Sequence, residues 1–158
     1  MEHLLVIHYV LLVIAGWLVV GVLGLANLRR TRVVAHGLFP VGAVFGLFLC
    51  GLGLTGVFAG PQQVILPLGL PDLPFHLRLD GLSAYFLCIL GAVSAGVSAF
   101  SAGYFRKGEG TPPGLLCFEY HVCLASMAVL LLLVTLAASY IPARRATKVD
   151  PLVAVRAE

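Results

Sequence analysis

Glu119 and His121 are the residues with the strongest claim to chemistry, because both are ionisable and both sit inside a long apolar run. A charged group in hydrocarbon costs roughly 2.5–3.5 kcal/mol on insertion scales, so such residues are usually functional. Glu119 lies about five residues into the run that opens at Gly114, roughly 7–8 Å along a helix axis. A carboxylate there reaches the interface and water. His121, two residues on, points to a different helix face, which leaves the two poorly placed to act as one pair. They are proton-path candidates, set against the plainer reading of a solvated helix end.

The other chemical residues point away from a catalytic centre. His8 falls within two turns of the N-terminus, and His36 and His76 lie in or beside loops. A haem needs axial ligands deep in a bundle, and no two histidines are spaced for it. Asp80 reads as an N-cap, since its carboxylate can accept from free N–H groups and favours the positive end of the helix dipole. Cys50, Cys88, Cys117 and Cys123 occupy three different apolar runs with no CxxC spacing. The expectation is four small hydrophobes, with neither a metal site nor a disulfide. No GxxxxGK[ST] element is present, so an ATPase is excluded from this chain alone. No catalytic residue, cofactor site or metal site is expected.

What positions these residues is a set of four apolar spans. The 158 residues are 60% hydrophobic and 11% charged, where ordinary globular domains are about a quarter charged. Mean hydropathy is +1.04. Spans are expected at about Leu4–Leu28, Val33–Ala59, Gly81–Phe105 and Gly114–Ile141, each long enough to cross about 30 Å of hydrocarbon. Pro40 is tolerable in a first helical turn and would kink a helix if placed deeper. Pro67, Pro71 and Pro74 favour an extended or turning connector, and Pro142 is expected to stop the fourth span, leaving a polar basic tail over 142–158. Glu2 and His3 stand where a secretory signal would carry basic residues, so the first run reads as a retained span. The fold class is all-α, an integral membrane bundle of about four transmembrane helices. A net charge of +3, clustered at helix ends, suits headgroups and gives no nucleic-acid footprint.

Small residues recur four apart in the third span: Gly91 with Ala95, Ala95 with Ala99, Ala99 with Gly103, and Ala92 with Gly96. Gly42 and Gly46 repeat the pattern in the second. Such ladders let helix backbones approach closely in lipid. Orientation is less consistent. The first and third loops hold Arg29, Arg30, Arg32, Arg106 and Lys107, against Arg78 in the second, which predicts an external N-terminus. Arg144, Arg145, Lys148 and Arg156 in the tail then fall on the side that should be poor in positive charge.

Two resemblances account for the conflict. Residues 77–105, LRLDGLSAYFLCILGAVSAGVSAFSAGYF, resemble an early helix of the antiporter-like membrane subunits. That family comprises the proton-pumping subunits of complex I, the Mrp-type cation/proton antiporters, hydrogenase-4 component B and formate hydrogenlyase subunit 3. Its third helix begins with an element like Asp80-Gly81-Leu82-Ser83 and ends near a pair like Tyr104-Phe105, and Cys123–Met127 resembles the start of its next helix. The first two spans and the proline-rich connector fit the hydrogenase-4 component B branch, and the resemblance covers about residues 1–130. Residues 138–158, ASYIPARRATKVDPLVAVRAE, resemble instead the C-terminus of macrolide-exporter and lipoprotein-release ABC permeases, whose final segment lies in the cytoplasm.

The first resemblance implies a multi-pass inner-membrane segment of a proton-coupled oxidoreductase complex, partnered by the bilayer and by other hydrogenase- or dehydrogenase-like membrane subunits. That family's proton transfer uses a Glu on the fifth helix and a Lys on the seventh. This chain departs at Leu130–Val134, before that Glu, and never supplies the Lys, so the implied role is scaffolding without catalytic residues. The second implies an ABC permease remnant that once docked on a cytoplasmic ATPase. A fused or truncated reading frame with no stable function is the third alternative. With four spans and an external N-terminus, a reporter fused after Glu158 should read as external; a cytoplasmic signal refutes that topology.

Overall fold

A bilayer offers backbone groups no water, so each span must close its own hydrogen bonds, which a helix does. In the computed structural model, residues 6–70, 73–105 and 110–146 are described. They form helix α1 (Val6–Ala26), helix α2 (Thr31–Phe58), strands β1 (Gln62–Leu70) and β2 (Leu73–Leu79), helix α3 (Gly81–Tyr104) and helix α4 (Pro113–Ala146). All four helices are long and apolar enough to cross a membrane, α4 over Pro113–Val134. The expected all-α, multi-pass bundle is what forms, with one small hairpin added. The core joins Ile7, Val10, Val13, Ile14 and Trp17 of α1 to Leu49 of α2, Leu87 of α3, and Leu124 and Leu132 of α4. Large apolar side chains also point outward, among them Leu12, Leu47, Phe100 and Leu130, as a surface solvated by lipid requires.

The helices pack in two close pairs, α2 with α3 and α1 with α4. Glycine sets the first pair. A Cβ on Gly53 would lie 2.6 Å from the Cys88 nitrogen and 2.7 Å from the Ala84 oxygen, and one on Gly91 would lie 2.6 Å from the Gly46 oxygen. A Cβ on Gly46 would collide with the Ser94 hydroxyl. The α1–α4 pair uses Gly24 against Gly114, and the Gly114 N–H donates across the helices to the Leu28 carbonyl at 3.1 Å. Only part of the expected ladder is used. Gly42, Gly46, Gly91 and Ala95 are buried, whereas Ala92, Gly96, Ala99 and Gly103 are exposed. Small-residue spacing marks a face that can pack, and the tertiary arrangement selects which one does.

Pro40 and Pro142 are both carried inside helices. Pro40 opens the α-helical run Phe39–Phe58, which follows without a break from Thr31. The turn before it, Val34–Leu38, is a π-turn. Proline cannot donate to the carbonyl four residues back and its ring crowds that group. The wider turn absorbs one extra residue and lets the helix continue. Pro142 likewise does not stop the fourth span, since α4 continues to Ala146. One missing N–H and a local clash can kink a helix without ending it. The helix therefore runs into the polar basic segment as far as Ala146, and residues 147–158, with Lys148, Asp150 and Arg156, lie outside the described residues, as do Arg106 and Lys107.

The connector is an antiparallel hairpin, with Gln62 opposite Leu79 and an irregularity between Leu66 and Gly69 that brackets Pro67. Buried Leu77 and Leu79 seat it on the bundle. The Gln62 side chain accepts from the Ile7 N–H at 3.2 Å, satisfying one of the free donors at the start of α1. Asp80 is the N-cap of α3: its Oδ1 accepts from the Ser83 N–H at 2.9 Å, and the Ser83 Oγ accepts from the Asp80 N–H at 3.0 Å. This reciprocal box is the role expected from the sequence.

Substituting Gly53 by Val should lower stability by about 1–3 kcal/mol, because the α2–α3 backbones leave no room for it. Gly96→Val should change it by less than about 0.5 kcal/mol. Thermal unfolding of both variants in detergent tests the packing, and equal losses would refute it.

Candidate functional site

A buried polar cluster lies where α1, α2 and α4 meet. Its centre is His121, fully buried in the middle of the bundle. The ring Nδ1 is 2.8 Å from the Cys117 carbonyl one turn back, with the Cys117 thiol at 3.5 Å. A carbonyl can only accept, so Nδ1 carries the proton and Nε2 presents a lone pair. That Nε2 is buried with no hydrogen-bond partner. It occupies the space a side chain on Gly42 would take. Trp17, also fully buried, donates its indole N–H to the Gly42 carbonyl at 3.4 Å. Gly42 thus serves both neighbours: its oxygen accepts from α1 and its missing side chain admits the imidazole from α4.

Rings enclose the cluster. Phe39 lies 5.9 Å from the His121 ring and 5.3 Å from Phe105, and Tyr120 meets His121 edge-on at 5.1 Å. The Tyr120 hydroxyl donates to the Ser94 carbonyl at 2.9 Å and accepts from Ser98 Oγ at 3.4 Å. Ser94 and Ser101 return their hydroxyls to carbonyls of their own helix, Gly91 and Val97, at 2.9 and 2.8 Å. Buried polar groups of the α3–α4 seam therefore close on backbone or on one another, as a low-dielectric interior requires. Nε2 of His121 is an exception, and it leaves a single acceptor for one proton donor.

The two proton-path candidates are not brought together. Glu119 is exposed on the outer side of α4, while His121 faces inward. His36 is exposed within the π-turn, and His8 is half-buried with an Nδ1 that is out of solvent and unpartnered. His76 sits on β2 opposite Ile65. Among the described residues no group of three or more His, Cys, Asp or Glu could hold a metal ion. A cleft of about 750 Å³ beside Tyr104, Phe105 and Thr111, and an apolar groove of about 440 Å³ between α3 and α4, contain neither Glu119 nor His121 in their walls. The arrangement can hold a lone hydrogen-bond acceptor in place, and it does not bring Glu119 to His121.

The four cysteines are free thiols that differ in burial. Cys117 alone is buried; Cys123 is exposed, and Cys50 and Cys88 are half-buried with their sulfurs 3.4 Å apart across the α2–α3 seam. Sequence spacing carries no trace of that pairing, nor of the Trp17–Gly42–His121 contact, because both are made between helices. The one available signal was the isolation of Trp17 and His121 as polar-tipped residues in otherwise apolar runs.

The fold defines the class: a multi-pass α-helical membrane protein, with four helices long and apolar enough to cross a bilayer. No protein-family model matches the chain. No solved structure matches it either. It is similar to two uncharacterized proteins of Mycobacterium tuberculosis, one from strain CDC 1551 / Oshkosh and one from strain H37Rv. Each is 37% identical over 57 residues, which is 36% of this chain and 9% of the relative. The chain thus matches only a small part of the length of those relatives.

Gly42→Ala should destabilise the bundle by about 1–3 kcal/mol by driving a methyl into the imidazole. Combining it with His121→Ala should recover part of that loss, a coupling of about 0.5–3 kcal/mol in a double-mutant cycle of unfolding free energies. Strict additivity would show that the two residues do not share the contact.

Proposed function

We propose that this chain is a packing and scaffolding segment of a membrane-arm subunit in a proton-translocating oxidoreductase complex, of the hydrogenase-4 component B type. It sits in the inner membrane and contributes no catalytic residue of its own. The observation that supports this most is the order Asp80-Gly81-Leu82-Ser83, Tyr104-Phe105 and Cys123–Met127, set behind two earlier spans. Asp80 and Ser83 form the reciprocal cap that opens α3 and Tyr104 ends it, whereas Cys123–Met127 lies inside α4 and not at its start.

The chemistry supports the scaffolding reading. Proton transfer through a membrane needs ionisable groups in hydrogen-bond reach or joined by water. Glu119 and His121 lie on different faces, and Nε2 of His121 has no partner. The position at which the resembling family carries its Glu lies past the point where this chain departs from the pattern. Two close helix pairs closed by glycine make the segment a rigid block on which neighbouring subunits can pack.

A second reading, an ABC permease remnant, rests on the Pro142-Ala143-Arg144-Arg145-Ala146 and Asp150-Pro151 elements. Affinity purification of the full chain in mild detergent separates the two. Co-purification of hydrogenase- or dehydrogenase-like membrane subunits is the expected result. Recovery of an ATP-binding subunit, surviving deletion of Met1–Gly110 but lost with the tail, would overturn it in favour of the transporter.

A further inference from the structure

The half-buried thiols of Cys50 and Cys88 stand apart from the His121 cluster and from any role a scaffold needs. Their sulfurs are 3.4 Å apart across the α2–α3 seam, with both thiols free. A disulfide requires about 2.05 Å, so closure asks for a movement of little more than 1 Å. The two backbones approach closely at this point. A Cβ on Gly91 would lie 3.0 Å from the Cys50 Cα, and one on Gly53 would lie 2.7 Å from the Cys88 Cα. The glycines one turn away on each helix hold the two cysteines at the closest part of the crossing.

Access is from lipid. Cys88 is seven residues past Gly81 and Cys50 eight before Phe58, which places both roughly 10–12 Å inside the hairpin end of the bundle. Around them Leu47, Leu54, Phe86 and Ile89 are exposed to the hydrocarbon. At that depth a polar aqueous oxidant has no route, and a thiolate left in hydrocarbon is unfavourable. A neutral acceptor that dissolves in the bilayer and takes two electrons with two protons meets neither obstacle.

We propose that Cys50 and Cys88 form an intramembrane dithiol site that is oxidised to a cross-helix disulfide by a lipid-soluble acceptor of the quinone class. Two S–H bonds break and one S–S bond forms. Both protons and both electrons pass to the two quinone oxygens, giving one hydroquinone. No charged product stays in the hydrocarbon, and oxidation pins α2 to α3.

The test uses the reduced full chain in phosphatidylcholine vesicles with a fully substituted alkyl benzoquinone, whose ring cannot add thiols. Two of the four thiols should be lost to maleimide titration after denaturation, with one hydroquinone formed per chain and recovery by dithiothreitol. Cys50→Ser and Cys88→Ser should each abolish the loss, and Cys123→Ser should leave it intact. Retention of all four thiols, or loss that persists in either of the first two variants, overturns the proposal. A second arm keeps every cysteine: a protease site is inserted between Pro71 and Asp72, and the chain is cut after oxidation. The halves should then co-migrate on a non-reducing gel and separate on a reducing one, whereas halves that separate without reductant refute the link.

Discussion

Close contact between the α2 and α3 backbones is the constraint on which the remaining arrangement rests. In lipid, burying apolar side chains yields little drive, because the hydrocarbon outside is as apolar as the protein inside. Helices are held by dispersion between surfaces that fit and by the few polar contacts that lipid cannot replace. Gly46, Gly53 and Gly91 remove the side chains that would keep the two helices apart. Once that seam is closed, Ser94 lies against Gly46, and the Ser94 carbonyl is placed where Tyr120 of α4 can donate to it. The position of α4 then sets that of His121, and Gly42 must be bare to receive it. A contact between two helices thus propagates to the other pair.

The polar residues of the interior follow one rule with different outcomes. Ser94 and Ser101 on α3 return their hydrogen bonds to the preceding turn, which makes them nearly as self-contained as alanine in hydrocarbon. Trp17 and Tyr120 each reach a carbonyl on another helix, so they orient as well as fill. His121 uses one nitrogen locally and leaves the other unused. The interior is therefore specified by direction at Trp17 and Tyr120 and by shape at His121.

Much of the architecture could be read in the residues themselves. Four apolar runs separated by Arg29–Arg32, a proline-rich connector and a Gly-Pro-rich loop correspond to four helices and a hairpin. Asp80 followed by Ser83 announced a cap, and the two-residue offset of Glu119 and His121 placed them on different faces. Local signals of this kind depend on residues close in the chain, which is why they were legible. The selection of Gly91 and Ala95 over Ala92 and Gly96, and the meeting of Cys50 with Cys88, depend on how α3 is rotated against α2. No residue within a helix encodes that rotation by itself. Pro142 misled for a related reason: proline weakens a helix locally, and neighbouring turns decided that α4 continues to Ala146.

The π-turn at Val34–Leu38 also decouples the two ends of α2. One surplus residue is stored in it, so the segment from Thr31 to Val33 is out of angular phase with the long run from Phe39 to Phe58. The arginine-bearing entrance can consequently turn towards the headgroups on its own schedule, while the glycine face below keeps its aim at α3. Such a slip acts like an expansion joint, and single-residue insertions or deletions at this end of the bundle can be taken up there without re-aiming the packed half.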